Sequence, residues 1–184
     1  MSSKKDNIRK DLRFLNMALN LAETAKYKTG SNPAVGCLVV KDDQIISFGV
    51  TNKNGRPHAE EIALNKKKFP GSTLYVSMEP CTHTGKTPPC TNFISNSRIK
   101  KVVYGANDID PRTAFKSKKI LSKKKILSYS YEKNKIFEKF YKDYFYHKKN
   151  QIPYVTGKIA CSKDLFILSK KSKKITSLET DRIF

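Results

Sequence analysis

The sequence predicts a layered α/β domain built around a mixed sheet. Short apolar runs, typical of strands, alternate with segments whose apolar residues recur every three or four positions, as they do in helices. Their order, β-β-α-β-α-β, indicates helices packed on a sheet. The chain has 184 residues, the length of one domain, and no apolar run approaches the roughly 18 residues of a membrane span.

The pattern predicts each element in turn. Phe14, Ala18 and Ala22 recur at helical spacing and define the buried face of a first helix. Asp42 and Asp43 form the turn between the first two strands, and Pro70 ends the second helix. The predicted elements are a helix over 6–28, strands over 34–41 and 44–51, a helix over 58–69, a strand over 73–78, a helix over 90–96, a strand over 101–105, a further helix and strand near 120–127, a helix over 132–149 with aromatic residues on one side, and an extended segment over 154–160.

The chain carries a formal net charge of +21, a balance common among nucleic-acid-binding proteins. Only six of the 37 basic residues are Arg, which base readout and bidentate phosphate recognition favour, and the Lys residues are spread along the chain. A general compositional bias explains this charge as well as function does. We therefore expect neither a nucleic acid nor a membrane as partner.

The N-terminal segment and the cysteine content bear on where the protein works. Charged residues interrupt the apolar positions of the first 26 residues, whereas a signal peptide needs an uninterrupted apolar segment. Four Cys residues in a chain that is not exported indicate metal or thiol chemistry rather than a disulfide framework. We expect a soluble, cytoplasmic protein.

One His and two Cys residues stand out as a set. His58 is followed by Ala59-Glu60, and Cys81 and Cys90 each follow a Pro. Imidazole and thiolate suit Zn²⁺, and three protein ligands leave a fourth position for water, as in catalytic zinc sites. We expect each ligand to begin a helix, where exposed N–H groups favour a thiolate. Glu60 is placed to accept the proton of that water without itself being a ligand.

Each part of this set has a simpler interpretation when taken alone. A single His-x-Glu arises by chance on surface helices, and two Cys residues nine apart are more often separate core thiols than a metal pair. The loop between Cys81 and Cys90 is rich in Thr, Gly and Pro, where a packed core would be apolar. The combination therefore favours a metal site. Cys37, within an apolar strand, is expected to be a small core residue.

These residues resemble a known group of enzymes. His58-Ala59-Glu60 and Pro80-Cys81 are similar to the cytidine-deaminase-like superfamily of zinc hydrolases. The longer string MEPCTHTGKTPPC, residues 78–90, resembles the deaminase domain of the bifunctional riboflavin-biosynthesis deaminase/reductase. Nucleic-acid deaminases place two residues between the two Cys, whereas eight intervene here, as in the riboflavin family. The same family is matched by the segments 32–37, 55–60 and 108–112.

The resemblance implies a fold and a reaction. The fold is a three-layer αβα domain over residues 1–150, with a mixed sheet of roughly five strands. The reaction is the hydrolytic deamination of 2,5-diamino-6-(5-phosphoribosylamino)pyrimidin-4(3H)-one to the 5-amino-uracil product and ammonia, the second step of riboflavin biosynthesis. His58, Cys81 and Cys90 are implied to hold one zinc ion per chain. Glu60 is implied to be the catalytic residue that carries protons from water to the ring and to the leaving amine.

Three more residues are implied to bind the small-molecule substrate. These are Asn32, expected at the pyrimidine or ribose, and His83 and Lys86 on the loop between the two Cys ligands. Lys86 suits the phosphate, because an anionic group favours a positioned cation. Without the resemblance, His83 and Lys86 would be interpreted as residues of a solvated loop.

Residues 151–184 resemble the start of the family's reductase domain. The match begins at Tyr154, although Leu165 stands where the family has a Gly. We predict that this segment is a truncated or vestigial reductase domain, so NADP would be a cofactor only if a complete reductase domain were present. A stand-alone deaminase and a fragment of the two-domain enzyme both stay open, as does assembly into a homo-oligomer.

Two other functions stay open as alternatives. A deaminase of nucleic-acid bases or nucleotides would use the same zinc chemistry and would account for the charge, but the Cys spacing opposes it. A non-catalytic, zinc-stabilised RNA-binding module is opposed by Glu60, because a structural zinc site needs no adjacent base.

Overall fold

The computed structural model describes residues 2–161, 163 and 165. Its first unit, Met1–Ile152, contains a five-stranded mixed sheet with the strand order β2-β1-β3-β4-β5. Strand β1 runs antiparallel to β2 and β3, while β3, β4 and β5 run parallel to one another. The elements are α1 (Ser2–Ala25), β1 (Gly36–Lys41), β2 (Gln44–Val50), α2 (Ala59–Leu64), β3 (Thr73–Met78), α3 (Cys90–Asn96), β4 (Lys101–Ala106), α4 (Ser117–Lys123), β5 (Leu127–Ser130) and α5 (Lys135–Asn150).

Helices α1 and α5 pack on one face of the sheet. Tyr75 and Ser77 are two positions apart on β3 and therefore point to the same face. The ring of Tyr75 lies 5.0 Å from that of Phe14 on α1, and Ser77 Oγ lies 2.6 Å from the hydroxyl of Tyr141 on α5. The aromatic side of α5 is core packing at its first two positions, since Phe137 and Tyr141 are buried.

Helix α2 packs on the opposite face. A Cβ at Gly49 would lie 2.2 Å from the carbonyl oxygen of Ala59, so α2 rests directly on β2. On the neighbouring strand β1, Cys37 pairs with Gly49, and the preceding residue Gly36 points to the other face of the sheet. A Cβ at Gly36 would lie 1.9 Å from the carbonyl oxygen of Ala18 on α1. Helices α3 and α4 continue the α2 layer by packing side by side. The three-layer αβα architecture and the roughly five-stranded sheet predicted from the sequence are confirmed.

Two helices end earlier than the sequence predicts, and both end in left-handed backbone. Helix α2 stops at Leu64, not at residue 69, because Asn65 and Lys66 adopt φ values of 37° and 57°. Helix α1 stops at Ala25, and Tyr27 has a φ of 64°. Neither position carries the Gly that usually signals such an end.

The second unit is Pro153–Phe184, of which the structure describes 153–161, 163 and 165. These residues contain no helix or strand, so the extended segment predicted over 154–160 is not paired into a sheet. The remainder of the predicted reductase-like segment lies outside the described residues. None of the helices in the described part of the chain is both long and apolar enough to cross a bilayer.

Candidate active site

Three side chains from separate parts of the sequence meet on the α2 side of the sheet. The Nδ1 atom of His58 and the Sγ atoms of Cys81 and Cys90 all lie within 4.8 Å of one another. His58 precedes the first turn of α2, and Cys90 is the first residue of α3. Cys81 lies in the loop after β3 and begins no helix, so the expectation that each ligand begins a helix is wrong for this residue.

The spacing of these atoms fits a tetrahedral zinc ion. Zinc bonds of about 2.3 Å to sulfur and 2.0–2.1 Å to nitrogen place a tetrahedral N and S pair about 3.5 Å apart. His58 Nδ1 lies 3.3 Å from Cys90 Sγ and 3.7 Å from Cys81 Sγ. Among the described residues, this is the group of His, Cys, Asp and Glu side chains that lie close enough together to hold a metal ion. The donor set and its spacing therefore suit zinc.

The two thiols differ in acidity. A hydrogen bond from the Cys90 thiol lowers the pKa of Cys81 to about 4, and His58 acts in the same direction. The backbone N–H of Cys90 also donates to Cys81 Sγ over 3.2 Å. The pKa of Cys90 is raised by that shared hydrogen bond and by burial. Cys81 is thus the thiol that ionises first, which prepares it as a metal ligand because the thiolate is the binding form.

Glu60 lies beside the cluster, in the first turn of α2, and its side chain is 3% exposed. Burial raises the pKa of Glu60 to about 7, while the nearby charge of His58 acts in the opposite direction. A carboxyl group with a pKa near neutrality can both accept and return a proton, as general acid–base chemistry requires.

A cavity of about 400 Å³ opens onto this cluster, and the predicted substrate residues line it. Asn32 is positioned by Gly55, whose carbonyl oxygen accepts from Asn32 Nδ2 at 3.3 Å. Gly55 has a φ of 83°, and a Cβ there would lie 2.2 Å from Asn32 Nδ2. Only glycine therefore fits beneath the Asn32 side chain.

The loop that carries His83 and Lys86 forms a second wall of the cavity. His83 Nδ1 lies 3.1 Å from Thr113 Oγ1, and the Thr82 hydroxyl donates to the carbonyl of Arg112 over 2.9 Å. The predicted residues Asn32, His58, Glu60, Cys81, His83 and Lys86 all line one cavity, and the buried Cys90 contacts His58.

The sequence analysis missed further residues that line the cavity. Among them are two acidic residues of the loop after β4, Asp108 and Asp110. Arg112 clamps Asp110 with two hydrogen bonds, from Nε to Oδ1 at 2.9 Å and from Nη2 to Oδ2 at 2.6 Å, and this pairing holds the pKa of Asp110 well below its usual range. The pattern Asp-x-Asp-Pro-Arg was visible in the sequence, but spacing alone does not reveal which side chains turn inward.

Helix α5 supplies two more residues of the cavity wall, Tyr144 and Lys148. The same helix carries other aromatic residues that pack in the core and other Lys residues that face solvent. No sequence signal therefore distinguishes Tyr144 and Lys148 from these. Arg56 also lines the cavity and donates to Thr87 Oγ1, across the loop between the two Cys residues.

Comparison with known proteins identifies the class to which this fold and site belong. The model of the cytidine and deoxycytidylate deaminase zinc-binding region matches residues 8–106. The chain belongs to this deaminase family.

Particular relatives point to one branch of the family. The chain is 38% identical over 177 residues to the riboflavin biosynthesis protein RibD of Aquifex aeolicus, covering 94% of this chain and 50% of that protein. It is 36% identical over 146 residues to a diaminohydroxyphosphoribosylamino-pyrimidine deaminase of Buchnera aphidicola subsp. Schizaphis graminum, covering 78% of this chain and 99% of that protein. The chain spans about half the length of the first of these curated relatives.

A solved structure with a similar fold is the diaminohydroxyphosphoribosylaminopyrimidine deaminase/5-amino-6-(5-phosphoribosylamino)uracil reductase of Thermotoga maritima. The TM-score is 0.79 at 29% identity, and the alignment covers 95% of this chain and 52% of that one.

Proposed function

We propose that the chain hydrolyses the amino group from 2,5-diamino-6-(5-phosphoribosylamino)pyrimidin-4(3H)-one, releasing ammonia and the 5-amino-uracil product in riboflavin biosynthesis. The observation that carries this proposal is the grouping of His58, Cys81 and Cys90 ligand atoms within 4.8 Å, beside the buried Glu60. The similarity to a named deaminase over 99% of its length supports the choice of substrate. A cytoplasmic location is part of the same proposal.

His58, Cys81 and Cys90 would hold one zinc ion per chain. Their donor atoms are those that zinc prefers, and Cys81 already favours the thiolate form. The bound ion would supply the Lewis acidity that makes a water molecule nucleophilic at neutral pH.

Glu60 carries the protons of the reaction. It accepts one proton from the attacking water as the C–O bond forms at the ring carbon that bears the amino group, and it passes this proton to the adjacent ring nitrogen. It then transfers the second proton of the water to the amino group. The C–N bond breaks, ammonia leaves, and the oxygen stays on the ring as a carbonyl. Glu60 returns to its starting state after each transfer.

Asn32, His83 and Lys86 bind and orient the substrate in this proposal. All three line the cavity together with Glu60 and His58. Lys86 provides a cation for the phosphate, and charge-assisted contacts of this kind are roughly twice as strong as neutral ones.

Residues 1–150 are proposed as the deaminase domain, and 151–184 as the start of a reductase domain. The coverage of about half of the two-domain relatives supports this division. NADP enters the proposal only for a chain that carries a complete reductase domain.

Ammonia release by the zinc-loaded chain tests the function. The protein is supplied in parallel with the phosphoribosylaminopyrimidine, with tRNA and with single-stranded DNA. We expect ammonia from the pyrimidine and none from either nucleic acid. Release from tRNA or DNA, with none from the pyrimidine, would instead support the nucleic-acid deaminase.

A matched pair of Lys variants tests the phosphate contact. Lys86→Gln is expected to raise KM for the phosphorylated substrate about tenfold and to leave KM for the dephosphorylated compound unchanged, since one charge-assisted contact is lost. Lys67→Gln removes an exposed Lys that does not line the cavity and should leave both KM values unchanged. Equal KM values for Lys86→Gln and wild type would remove Lys86 from the phosphate site.

A further inference from the structure

Helix α5 brings a tyrosine into the cavity from outside the region matched by the family model, which ends at residue 106. The Tyr144 hydroxyl donates to Asp108 Oδ1 over 3.1 Å, and the backbone N–H of Asp110 donates to the same oxygen over 3.0 Å. Among the described residues, the hydrogen bonds to the Asp108 carboxylate thus use Oδ1. Asp108 itself lines the cavity, and the hydrogen bonds between these residues leave its Oδ2 without a donor.

The position of Tyr144 is fixed by contacts earlier along α5. The Tyr141 hydroxyl donates to the carbonyl of Ala34 over 3.0 Å and lies 2.6 Å from Ser77 Oγ. One turn before it, the ring of Phe137 occupies the space above Gly105, where a Cβ would lie 2.4 Å from the ring. Both anchors are buried, and they hold α5 against the sheet so that its next turn, with Tyr144, lines the cavity.

We propose that Tyr144 is a positioning residue, which holds Asp108 so that its second carboxylate oxygen accepts a hydrogen bond from a donor group of the substrate. The identity of that substrate rests on the function proposed above. Tyr144 touches the carboxylate and acts through it, so its contribution appears in binding and not in the bond-breaking step.

The charges around Asp108 make this role measurable. Burial raises the pKa of Asp108, whose side chain is 7% exposed, while the Asp110 N–H and the Tyr144 hydroxyl lower it. The negative charges facing it are Asp110 on its own loop and Glu79 after β3, and both raise its pKa. Two cations also lie near this group: Arg112 on the same loop, whose pKa the charge of Asp108 raises, and Lys148 on α5, whose Nζ lies 3.5 Å from Asp110 Oδ2. Removal of the hydroxyl therefore shifts the pKa of Asp108 further upward.

Tyr144→Phe deletes the hydroxyl and keeps the ring. We expect KM to rise about tenfold while kcat stays within about twofold, because Asp108 loses the hydrogen bond that orients it toward the substrate and the bond-breaking step is untouched. The acidic limb of the kcat/KM profile should move to higher pH. In an Asp108→Asn background, Tyr144→Phe should have no further effect on KM, since the two residues act as one unit.

Tyr131→Phe is the matched control. Its hydroxyl also donates to a buried carboxylate, Asp11 Oδ2, over 3.3 Å, but neither residue lines the cavity. This variant should keep the wild-type KM and pH profile. An equal rise in KM for both variants, a fall in kcat for Tyr144→Phe, or a failure of that variant to fold would assign Tyr144 a structural role and overturn the proposal.

Carbon-13 NMR titration of the aspartate carboxyl groups gives a readout that needs no turnover. Asp108→Asn identifies the Asp108 resonance by its loss. Tyr144→Phe should raise the pKa of that resonance and Tyr131→Phe should not. An unchanged Asp108 titration overturns the proposal. Absence of ammonia release by the wild type contradicts the proposed function separately, and the titration still decides whether Tyr144 controls Asp108.

Discussion

Ser117 donates both its backbone N–H and its hydroxyl to Oε1 of Glu79, over 3.1 and 2.8 Å. The other oxygen of Glu79 accepts the backbone N–H groups of Asp108 and Phe115, over 3.2 and 3.1 Å. Glu79 lies two residues before Cys81 in the sequence. One buried carboxylate therefore connects the turn that leads to Cys81 with the loop that carries Asp108.

Glu79→Gln is expected to lower the free energy of unfolding by about 1–3 kcal/mol, because an amide NH₂ group then faces buried donors and leaves them unsatisfied. Urea denaturation measures the change. Glu138→Gln alters an exposed Glu on α5 and should change the stability by no more than about 0.5 kcal/mol. A Glu79→Gln protein as stable as Glu138→Gln would show that the four hydrogen bonds contribute little.

Purified wild-type protein is expected to contain one zinc per chain. Cys81→Ser and Cys90→Ser should each lose most of the metal, since serine is a poor zinc ligand. Cys161→Ser changes an exposed thiol and serves as the control that keeps it. Elemental analysis measures the content, and a chelator should lower the melting temperature of the wild type because the ion binds the folded chain. Full zinc content in either ligand variant would contradict the assignment.

The sequence predicted the sheet and the cluster well because their signals are local. The composition and the flanking turns predict the strands Gly36–Lys41 and Thr73–Met78. The set of His58, Cys81 and Cys90 was recognised because imidazole and thiolate beside Pro-rich loops carry distinctive chemistry. The sequence therefore predicts those elements and residues that have a distinctive local pattern, whether or not they lie close together in space.

Asp108 and Asp110 are expected to make the stability of the fold depend on pH in opposite directions. The pKa of Asp108 is raised by burial, so its ionisation opposes folding at pH values above the usual carboxyl pKa of about 4. Asp108→Asn should therefore raise the melting temperature at pH 7 and have less effect near pH 4, although it weakens substrate binding. A lower melting temperature at pH 7 would contradict this account.

Asp110 should behave in the reverse way. Its folded-state pKa is depressed, first of all by Arg112, so its contribution to stability is present above about pH 4 and is lost as the pH falls through the depressed value. Asp110→Asn should lower the melting temperature at pH 7 and flatten the dependence of stability on pH below 4. Melting curves recorded between pH 2 and 7 test the sign, and a melting temperature at pH 7 equal to that of the wild type would contradict it.

Gly105→Ala is expected to destabilise the domain by about 1–3 kcal/mol through overpacking. The added methyl group would lie 2.4 Å from the Phe137 ring and 2.7 Å from the carbonyl oxygen of Ser77. Gly157→Ala, where a Cβ meets nothing within 4 Å, is the control and should be neutral. Denaturant unfolding compares the two, and equal stability would show that α5 adjusts to the methyl group without loss.

The parts of the site that sequence analysis missed depend on tertiary contacts. Tyr144 and Lys148 belong to a helix rich in aromatic and basic residues, and only the packing of Phe137 and Tyr141 decides that this turn faces the cavity. The role of Glu79 likewise depends on backbone N–H groups 29 to 38 residues further along the chain. Residue type and spacing in the sequence do not reveal such contacts.

Turnover by zinc-loaded Glu60→Gln tests the central claim most directly. The variant should bind zinc as the wild type does and release ammonia from the phosphoribosylaminopyrimidine roughly 10²–10⁴-fold more slowly, because the amide cannot accept the proton of water. Glu61→Gln, one position along α2 and outside the cavity lining, should retain the wild-type rate. A Glu60→Gln protein with full zinc and more than about a tenth of the wild-type rate would contradict the account.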